Sequence, residues 1–420
     1  MNTAPAVLRL LAAAPLLAAL AASALAQDIG GIQFGPTGKG AGSNNADREF
    51  IKEWEGNPPP GYPTLSPANI EATKSAVKRY TKIVEGGGWP LVPDIEMRAG
   101  LTHFAVSVLR RRLLTSGDLE DTSSNEELLD STVEKAVMRF QASNGLTPTG
   151  IVDKRTVAAL NVPAEARLKQ LKRNVDRLQE YASIGKAKYV VVNIPAAQVE
   201  SVEANKVISR HAGVVGKTDR PTPLLRSQIA EMNFNPVWRL PPTVIEKDLI
   251  PRGREMQKAG QNVLVKFGID AYGGDGKKLD PQSIDWSSSR PQSLSYSQQP
   301  GKDNPMGFLK INFNSEQSVY MHDTPSETIF GRNFRAASSG CIRVHNIEQL
   351  ALWLLKDNGG WSAARIEDIK STRKRMDVRL KKPVPLYFVY ITAWATEDGV
   401  VQFRRDLYNR DDAGEMAATY

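Results

Sequence analysis

The hydrophobic periodicity changes near Lys188, and this change limits the chain to a helical part followed by a strand-rich part. Before it, apolar residues recur at helical spacing, as in the helix predicted from Pro163 to about Ser183. After it, the apolar run at 189–194 indicates a buried strand, and Asp398-Gly399 is a strong hairpin turn between two further strands. The pattern predicts a multidomain α+β fold, in which a helical scaffold and a three-helix unit precede a mostly β domain.

Length and composition are those of an ordinary globular protein. The 420 residues are 41% hydrophobic and 24% charged, which excludes a collagen-like, fully disordered or membrane-embedded chain. The length predicts about two to three domains. The chain has one cysteine, Cys341, and four histidines, so it cannot form an intramolecular disulfide, a zinc finger or an iron–sulfur cluster.

The N-terminal residues 1–26 have the pattern of a secretory signal peptide. A lone Arg9 precedes an apolar run, and Ala24-Leu25-Ala26 matches the small-x-small cleavage site. The alternative is an uncleaved anchor, for which the apolar stretch is short. We expect export and a mature chain without a stable membrane span.

Export gives the single thiol two interpretations. Exported proteins meet oxidising conditions and tend to pair or avoid cysteine. Cys341 is therefore either a reactive or intermolecular thiol, or an inert buried side chain that acts as a small hydrophobe.

The segment from about 251 to 305 loses periodicity and is rich in Gly, Ser, Gln, Asp and Pro. A loop of this length inside a compact domain is usually functional or disordered. We expect a loop-rich lid, or capping insertion, over the site.

The candidate chemistry lies between residues 318 and 346. Residues 318–322 alternate as a strand, which places Tyr320 and His322 on one face. Cys341 follows Ser-Ser-Gly at the entry to a second short strand, and His322 precedes it by 19 positions. A strand that ends in histidine and a turn that carries cysteine are typical of a nucleophile–base pair.

The residues around Cys341 suggest how it would be activated. Gly340 permits a positive φ, and the backbone N–H groups of Gly340 and Cys341 are candidate oxyanion donors. Arg343 has three open roles: it favours the thiolate, binds a substrate carboxylate or fixes the loop. Ser339 is expected to shape the turn, and Tyr320 either contacts substrate or packs.

The other histidines and two tryptophans are weaker candidates. We expect His103, His211 and His345 to be structural, with His345 beside a helix cap formed by Asn346. The tryptophans Trp238 and Trp286 either border a substrate groove or pack in the interior.

Two family resemblances follow from these motifs. The three-helix unit resembles the peptidoglycan-binding type 1 domain. The residues that carry this likeness are Ala136 to Gln141, Gly145-Leu146, Gly150, Asp153, Thr156 and Leu160. The second likeness is to the YkuD-type L,D-transpeptidases, and it rests on Tyr320 to Pro325 and Ser338 to Val344.

The wider chain, from about 79 to 409, is similar to the large periplasmic branch of that family, which adds a peptidoglycan-binding module and a capping insertion. The supporting segments are 87–90, 214–217, 235–238, 241–242, 300–304 and 403–408. Many relatives have histidine where this chain has Ser339, so the base role rests on His322. The large branch also carries serine there.

The resemblance implies the reaction and its participants. Cys341 would attack the L,D-bond of a tetrapeptide stem and release D-Ala, His322 would be the general base and acid, and an amine of a second stem would complete a 3–3 cross-link. Around them, Gly340, Ser339, Tyr320, Arg343 and Asp323 would form the oxyanion and substrate-binding group. Neither a metal nor a cofactor is expected.

The implied partners are peptidoglycan stems and glycan, not nucleic acid, with carbapenems as covalent inhibitors of Cys341. The net charge of +8 suits a partner that carries carboxylates. Two alternatives stay open: an L,D-carboxypeptidase that uses water as acceptor, and a non-catalytic peptidoglycan-binding scaffold.

The resulting domain division combines the periodicity with the resemblance. The expected segments are a signal peptide at 1–26, a flexible linker at 27–65, a helical scaffold at 66–98, a peptidoglycan-binding module at 99–163, a scaffold helix at 164–185, a catalytic domain at 186–409 that contains the capping insertion, and a C-terminal tail at 410–420.

Overall fold

The computed structural model describes residues 27–29, 32–34, 63–120, 125–184 and 188–415. The predicted signal peptide at 1–26 lies outside these residues, as does most of the predicted linker. Within that linker, β1 (Gln27–Ile29) and β2 (Ile32–Phe34) pair as antiparallel strands. Among the described helices, none combines the length and apolar character needed to cross a bilayer.

Five helices make up the part of the N-terminal half that the structure describes, as the periodicity predicts. They are α1 (Ala68–Glu85), α2 (Phe104–Ser116), α3 (Ser131–Ser143), α4 (Lys154–Leu160) and α5 (Ala164–Gln179). Helices α2, α3 and α4 enclose one apolar core that contains Leu109, Val133 and Leu160. Helix α1 packs along α5, so the three-helix unit and the scaffold pair are separate layers.

Polar side chains fix where the helices of the three-helix unit begin. The Asp153 carboxylate accepts from Thr156 N–H at 2.8 Å, which confirms the predicted cap of α4. Asp130 caps α3 in the same way. His103 caps α2 by accepting from Ala105 N–H at 3.1 Å, so this histidine is structural, as expected.

The described part of the C-terminal half, residues 188–415, is built on a nine-stranded sheet. Its strands are β3 (Tyr189–Asn193), β4 (Gln198–Glu203), β5 (Lys206–Gly216), β6 (Leu225–Phe234), β10 (Leu309–Phe313), β11 (Met321–His322), β12 (Ala336–Ser338), β13 (Ile342–Val344) and β14 (Met376–Val389). The spatial order is β12-β5-β13-β11-β10-β6-β14-β3-β4. Because β4 also pairs with β5, the ladder closes on itself.

The sheet buries one face against the helices that follow β13. These are α9 (Ile347–Leu354) and α10 (Ala363–Thr372), and their residues Leu350 and Ile366 share a core with Met321 and Ile342. The predicted cap of α9 is wrong in detail. Asn346 occupies the cap position with φ 48°, and its side chain bonds to Gln349 rather than to the helix backbone.

The expected loop-rich insertion is more regular than its sequence predicts. Chain order gives β7 (Trp238–Arg239), α6 (Pro242–Val244), a π-helical turn (Ile245–Leu249), α7 (Ile250–Lys258), α8 (Val263–Phe267), β8 (Ile269–Tyr272) and β9 (Ser295–Gln298). Strands β7, β9 and β8 form a separate three-stranded sheet. Residues 238–306 share a core of their own, so we call this folded unit the cap.

The last hairpin joins the two halves. Strands β15 (Ala393–Ala395) and β16 (Val401–Phe403) flank the predicted Asp398-Gly399 turn. The preceding apolar run at 388–389 belongs to β14 instead, because it pairs in parallel with β3. Hairpin β15–β16 packs on α1 and α5 and thereby fixes the scaffold to the sheet.

Candidate active site

The pairing of β11 with β13 brings the two ends of the motif together. In this parallel ladder His322 lies opposite Arg343. Just before it, Ile342 N–H donates to the Tyr320 carbonyl at 3.0 Å. Cys341, which directly precedes β13, therefore lies beside Tyr320. The side chains of Tyr320, His322, Cys341 and Arg343 share one face of the sheet.

His322 is held as a buried, neutral imidazole. Its Nδ1 lies 2.5 Å from the Asp323 backbone oxygen, which can only accept, so Nδ1 carries a proton, and the Pro305 backbone also interacts with the ring. Burial, with the positive charges of Arg343 and Lys310, lowers its pKa to about 3. The ring is thus unprotonated at neutral pH, as a general base must be.

The Cys341 thiol is only partly exposed and carries its proton in the free protein. Burial raises its pKa, and this effect outweighs the opposing hydrogen bonds from Tyr320 and the charges of Lys310 and Arg343. Arg343 therefore favours the thiolate, as one of its predicted roles requires, but does not produce it alone. Among the described residues no hydrogen bond joins His322 to Cys341, so proton transfer requires the side chains to approach further.

Tyr320 lies directly against the thiol and links it to the cap. Its side chain interacts with those of Cys341 and of Trp238 in β7, and both interactions act on the pKa of Tyr320. Trp238 is therefore a neighbour of the site, whereas Trp286 stacks on Tyr296 inside the cap. The predicted contact role of Tyr320 is compatible with this position.

Lys310 also belongs to the site, although the sequence does not predict it. It lies opposite His322 across β10 and β11. Its Nζ is 4.4 Å from the centre of the Tyr320 ring, and burial lowers its pKa. No local motif marks it, because it reaches the site only through strand pairing.

The turn before Cys341 is fixed by a serine other than the predicted one. Ser338 Oγ accepts from Gly340 N–H at 3.1 Å and donates to the Cys341 carbonyl at 2.6 Å. The expectation that Gly340 N–H is a free oxyanion donor is therefore wrong. Gly340 does have the expected positive φ, at 114°. Ser339 Oγ instead accepts from Arg220 at 3.0 Å.

Asp323 was expected in the oxyanion and substrate-binding group, but its carboxylate holds a turn. It accepts from Phe308 N–H at 2.9 Å, and a Cβ on Gly307 would lie only 2.0 Å from its Oδ2. Burial raises the pKa of Asp323 to about 6. These contacts fix the chain that leads into β10 and hence into Lys310.

The two remaining histidines occupy structural positions. His211 is fully buried, and its ring contacts Ser209 Oγ at 2.8 Å and the His345 carbonyl at 3.0 Å. His345 N–H donates to the Ala212 carbonyl, and its ring packs on Phe330. These contacts connect β5 to the residue that follows β13.

A cleft of about 1110 Å³ lies between the cap and the sheet. Charged groups of both signs line it, namely Arg239, Glu246, Lys310, Arg375 and Asp377. Lys310, whose Nζ lies over the Tyr320 ring, is the lining residue that brings the cleft close to the site. Within the described residues there is no group of three or more His, Cys, Asp or Glu that would hold a metal ion.

Comparison with known proteins identifies the two parts of the chain. Residues 187–376 match the YkuD family, described as the L,D-transpeptidase catalytic domain. Residues 102–160 match the family described as "Putative peptidoglycan binding domain". The chain thus contains a YkuD-type L,D-transpeptidase catalytic domain behind a peptidoglycan-binding module.

A curated relative from Haemophilus influenzae, described as "Putative L,D-transpeptidase", is 32% identical over 222 residues. The aligned part covers 53% of this chain and 44% of the relative, so the match spans less than half of that protein.

Three solved structures resemble parts of the chain at low identity. The L,D-transpeptidase of Xylanimonas cellulosilytica is 14% identical, with 71% of this chain and 100% of that chain covered and a TM-score of 0.23. That of Stackebrandtia nassauensis is 12% identical, with 71% and 96% covered and a TM-score of 0.27. An L,D-transpeptidase solved in complex with imipenem is 15% identical, with 49% and 60% covered and a TM-score of 0.23.

Proposed function

We propose that the protein is a cysteine-dependent L,D-transpeptidase that forms 3–3 cross-links in peptidoglycan. One observation carries the proposal: the register of β11 and β13 sets Cys341 on the same sheet face as His322 and Tyr320. The matched families name the reaction class and the polymer.

The first half-reaction forms a thioester. His322 Nε2 takes the thiol proton, and the sulfur attacks the carbonyl between the third residue of the donor stem and D-Ala. The carbonyl electron pair moves to oxygen. It returns as the C–N bond breaks, and the imidazolium gives its proton to the leaving amine of D-Ala.

The second half-reaction transfers the acyl group. The side-chain amine of a second stem attacks the thioester, gives its proton to His322 and displaces the Cys341 sulfur, which regains a proton. Because the free thiol has a raised pKa, its attack on the donor depends on His322 as base. In the second half-reaction His322 takes the proton of the acceptor amine.

The charges of the cleft suit two stem peptides. Stem carboxylates pair with cations such as Lys310, Arg239 and Arg375, and an amine pairs with Glu246 or Asp377. The peptidoglycan-binding module would hold the enzyme on its polymer at the cell wall. Export to the periplasm remains a prediction that rests on residues 1–26.

The thiol also predicts covalent inhibition. A carbapenem presents a strained lactam carbonyl, and attack by Cys341 opens the ring without a leaving group, so the adduct has the summed mass. Intact mass spectrometry should detect this adduct on the wild-type protein and not on Cys341→Ala. An adduct that persists on the variant would place the reactive group elsewhere.

Analysis of digested wall distinguishes the acceptors. Expression of the protein in a strain without L,D-transpeptidases should produce 3–3 dimers. Tripeptides without such dimers would instead make water the acceptor and the protein an L,D-carboxypeptidase. Dimers produced equally by Cys341→Ala would refute the cysteine mechanism.

A further inference from the structure

A ring of hydrogen bonds behind the nucleophile turn fixes the peptide that precedes Cys341. Thr222, which has no exposed surface, donates from Oγ1 to the Gly340 carbonyl at 2.9 Å. The same oxygen accepts from Gly216 N–H at 2.9 Å. Thr222 lies in the loop between β5 and β6, far in sequence from the turn.

Tyr408 closes this ring from the C-terminal segment. Its hydroxyl donates to the Gly216 carbonyl at 2.7 Å and accepts from Thr222 N–H at 3.1 Å. Its own N–H donates to the Tyr390 hydroxyl, which in turn donates to the buried Asp406 carboxylate at 2.7 Å. Thr222 is therefore held on both its hydroxyl and its backbone.

The close approach that this ring needs depends on Gly216. A Cβ at this position would lie 2.2 Å from the Arg220 carbonyl oxygen and 2.6 Å from Thr222 N. Because Gly216 has no side chain, both its N–H and its carbonyl take part in the ring of hydrogen bonds.

The direction of one backbone donor follows from this arrangement. In a trans peptide the carbonyl and the N–H point in opposite directions. Since the Gly340 carbonyl points at Thr222, the Cys341 N–H points away from it. In the described part of the chain, this N–H makes no hydrogen bond, whereas Gly340 N–H is taken by Ser338.

We propose that Thr222, held by Tyr408, is a positioning residue that aims the Cys341 N–H at the oxyanion of the tetrahedral intermediate. The proposal rests on the acyl-transfer function proposed above. Gly340 has φ 114°, in the region that favours glycine, and the Thr222 hydroxyl holds the orientation of its peptide.

Two reactions of the Cys341 thiol distinguish a residue that aims the Cys341 N–H from a residue that only supports the structure. In lactam acylation the sulfur adds to a carbonyl, and the carbonyl electron pair becomes an oxyanion. In alkylation by iodoacetamide the sulfur displaces iodide from a saturated carbon, the thiol proton is released, and no oxyanion forms. Only the first reaction needs an aimed N–H donor.

The test compares both rate constants in three variants. Thr222→Val has nearly the same shape without the hydroxyl, Thr222→Ser keeps the hydroxyl, and Tyr408→Phe removes the anchor. Carbapenem acylation, followed by intact mass, should slow about 10- to 100-fold in Thr222→Val and less in Tyr408→Phe. Iodoacetamide alkylation should stay within about twofold, and Thr222→Ser should acylate at close to the wild-type rate.

Several results would overturn the proposal. Acylation of Thr222→Val at the wild-type rate would do so, as would an equal slowing of both reactions, which indicates a purely structural role. If Thr222→Val does not fold, unchanged acylation by Tyr408→Phe decides against the proposal. A wild-type protein that is alkylated at Cys341 but never acylated would instead contradict the proposed function.

Discussion

At the scale of single residues, the site combines a neutral base with a protonated thiol. The same cations act on both groups, since Lys310 and Arg343 lower the pKa of His322 and of Cys341 together. Removal of the base should therefore leave a thiol that is only weakly nucleophilic at neutral pH.

Substitution His322→Gln tests the base directly. We expect the rate constant for acylation of Cys341 by a carbapenem to fall about 10²- to 10⁴-fold near pH 7. The rate should recover partly at alkaline pH, where the thiolate forms without a base. His345→Gln is the matched control, since its ring packs on Phe330, and a comparable loss in this variant would remove the case for His322.

The lowered pKa of His322 also predicts a pH dependence of stability. The folded state keeps the ring neutral from its ordinary 6.5 down to about 3, whereas the unfolded chain takes up a proton across this window. The free energy of unfolding should therefore fall as the pH decreases. Relative to His322→Gln, the wild type should lose about 2 kcal/mol between pH 7 and pH 5 in urea denaturation. An equal pH dependence of the two proteins would show that the ring is not held neutral.

At the scale of elements, a partly buried ion pair ties the cap to the nucleophile turn. Arg220 donates to Asp248, in the π-helical turn of the cap, at 2.5 and 3.0 Å, and to Ser339 at 3.0 Å. The position of the cap and the shape of the turn are therefore coupled.

Loss of this pair should affect turnover more than folding. We expect Asp248→Asn to lower kcat/KM about tenfold or more, since small displacements of a catalytic turn are costly. The control is Glu255→Gln, which breaks an exposed ion pair between Arg252 and Glu255 within α7. Steady-state assays of D-Ala release should separate the two, and equal activities would show that the tie to the cap is not needed.

A second element-scale prediction concerns the turn that leads into β10. Gly307→Ala combines a φ of 59° with a clash against Asp323, so it should reduce the free energy of unfolding by about 1–3 kcal/mol. Gly274→Ala, in the cap, has open space and should change it by less than about 0.5 kcal/mol. Similar values for the two variants, measured by chemical denaturation, would contradict the role assigned to Asp323.

The sequence predicts the local parts of the site and not the remote ones. Cys341 and His322 stand out because each lies in a short contiguous motif. Lys310, Arg220 and Thr222 do not, because they reach the turn only through strand pairing and loop packing. The prediction that Gly340 N–H is a free donor is wrong because the fold-back of Ser338 onto this N–H depends on the shape of the turn, which the sequence does not show. The cap was expected to be loop-rich because its short strands pair across long separations.

At the scale of the whole molecule, the peptidoglycan-binding module is docked on the catalytic half. Asn333 Oδ1 accepts from both the N–H and the hydroxyl of Thr147 at 3.2 Å. Arg404 donates to the Ser143 carbonyl at 2.9 Å. The module is therefore presented at a set orientation to the cleft.

Hydrogen exchange should report this docking. In Asn333→Ala the Thr147 amide loses its acceptor, so its exchange should accelerate about tenfold or more, because protection depends on the bond. Asn358→Ala, whose side chain bonds to Arg379 and Lys381, removes an equivalent amide far from the module and should leave Thr147 unchanged. Unchanged exchange in Asn333→Ala would mean that the contact does not persist in solution.

In the proposed function, Cys341 transfers the acyl group of one stem peptide to the amine of another. The most direct measurement incubates the purified protein with disaccharide-tetrapeptide and resolves the products by liquid chromatography and mass spectrometry. We predict released D-Ala and 3–3 dimers with the wild type, and neither with Cys341→Ala. Dimers formed by the variant, or no D-Ala release by a folded wild-type protein, would contradict the account.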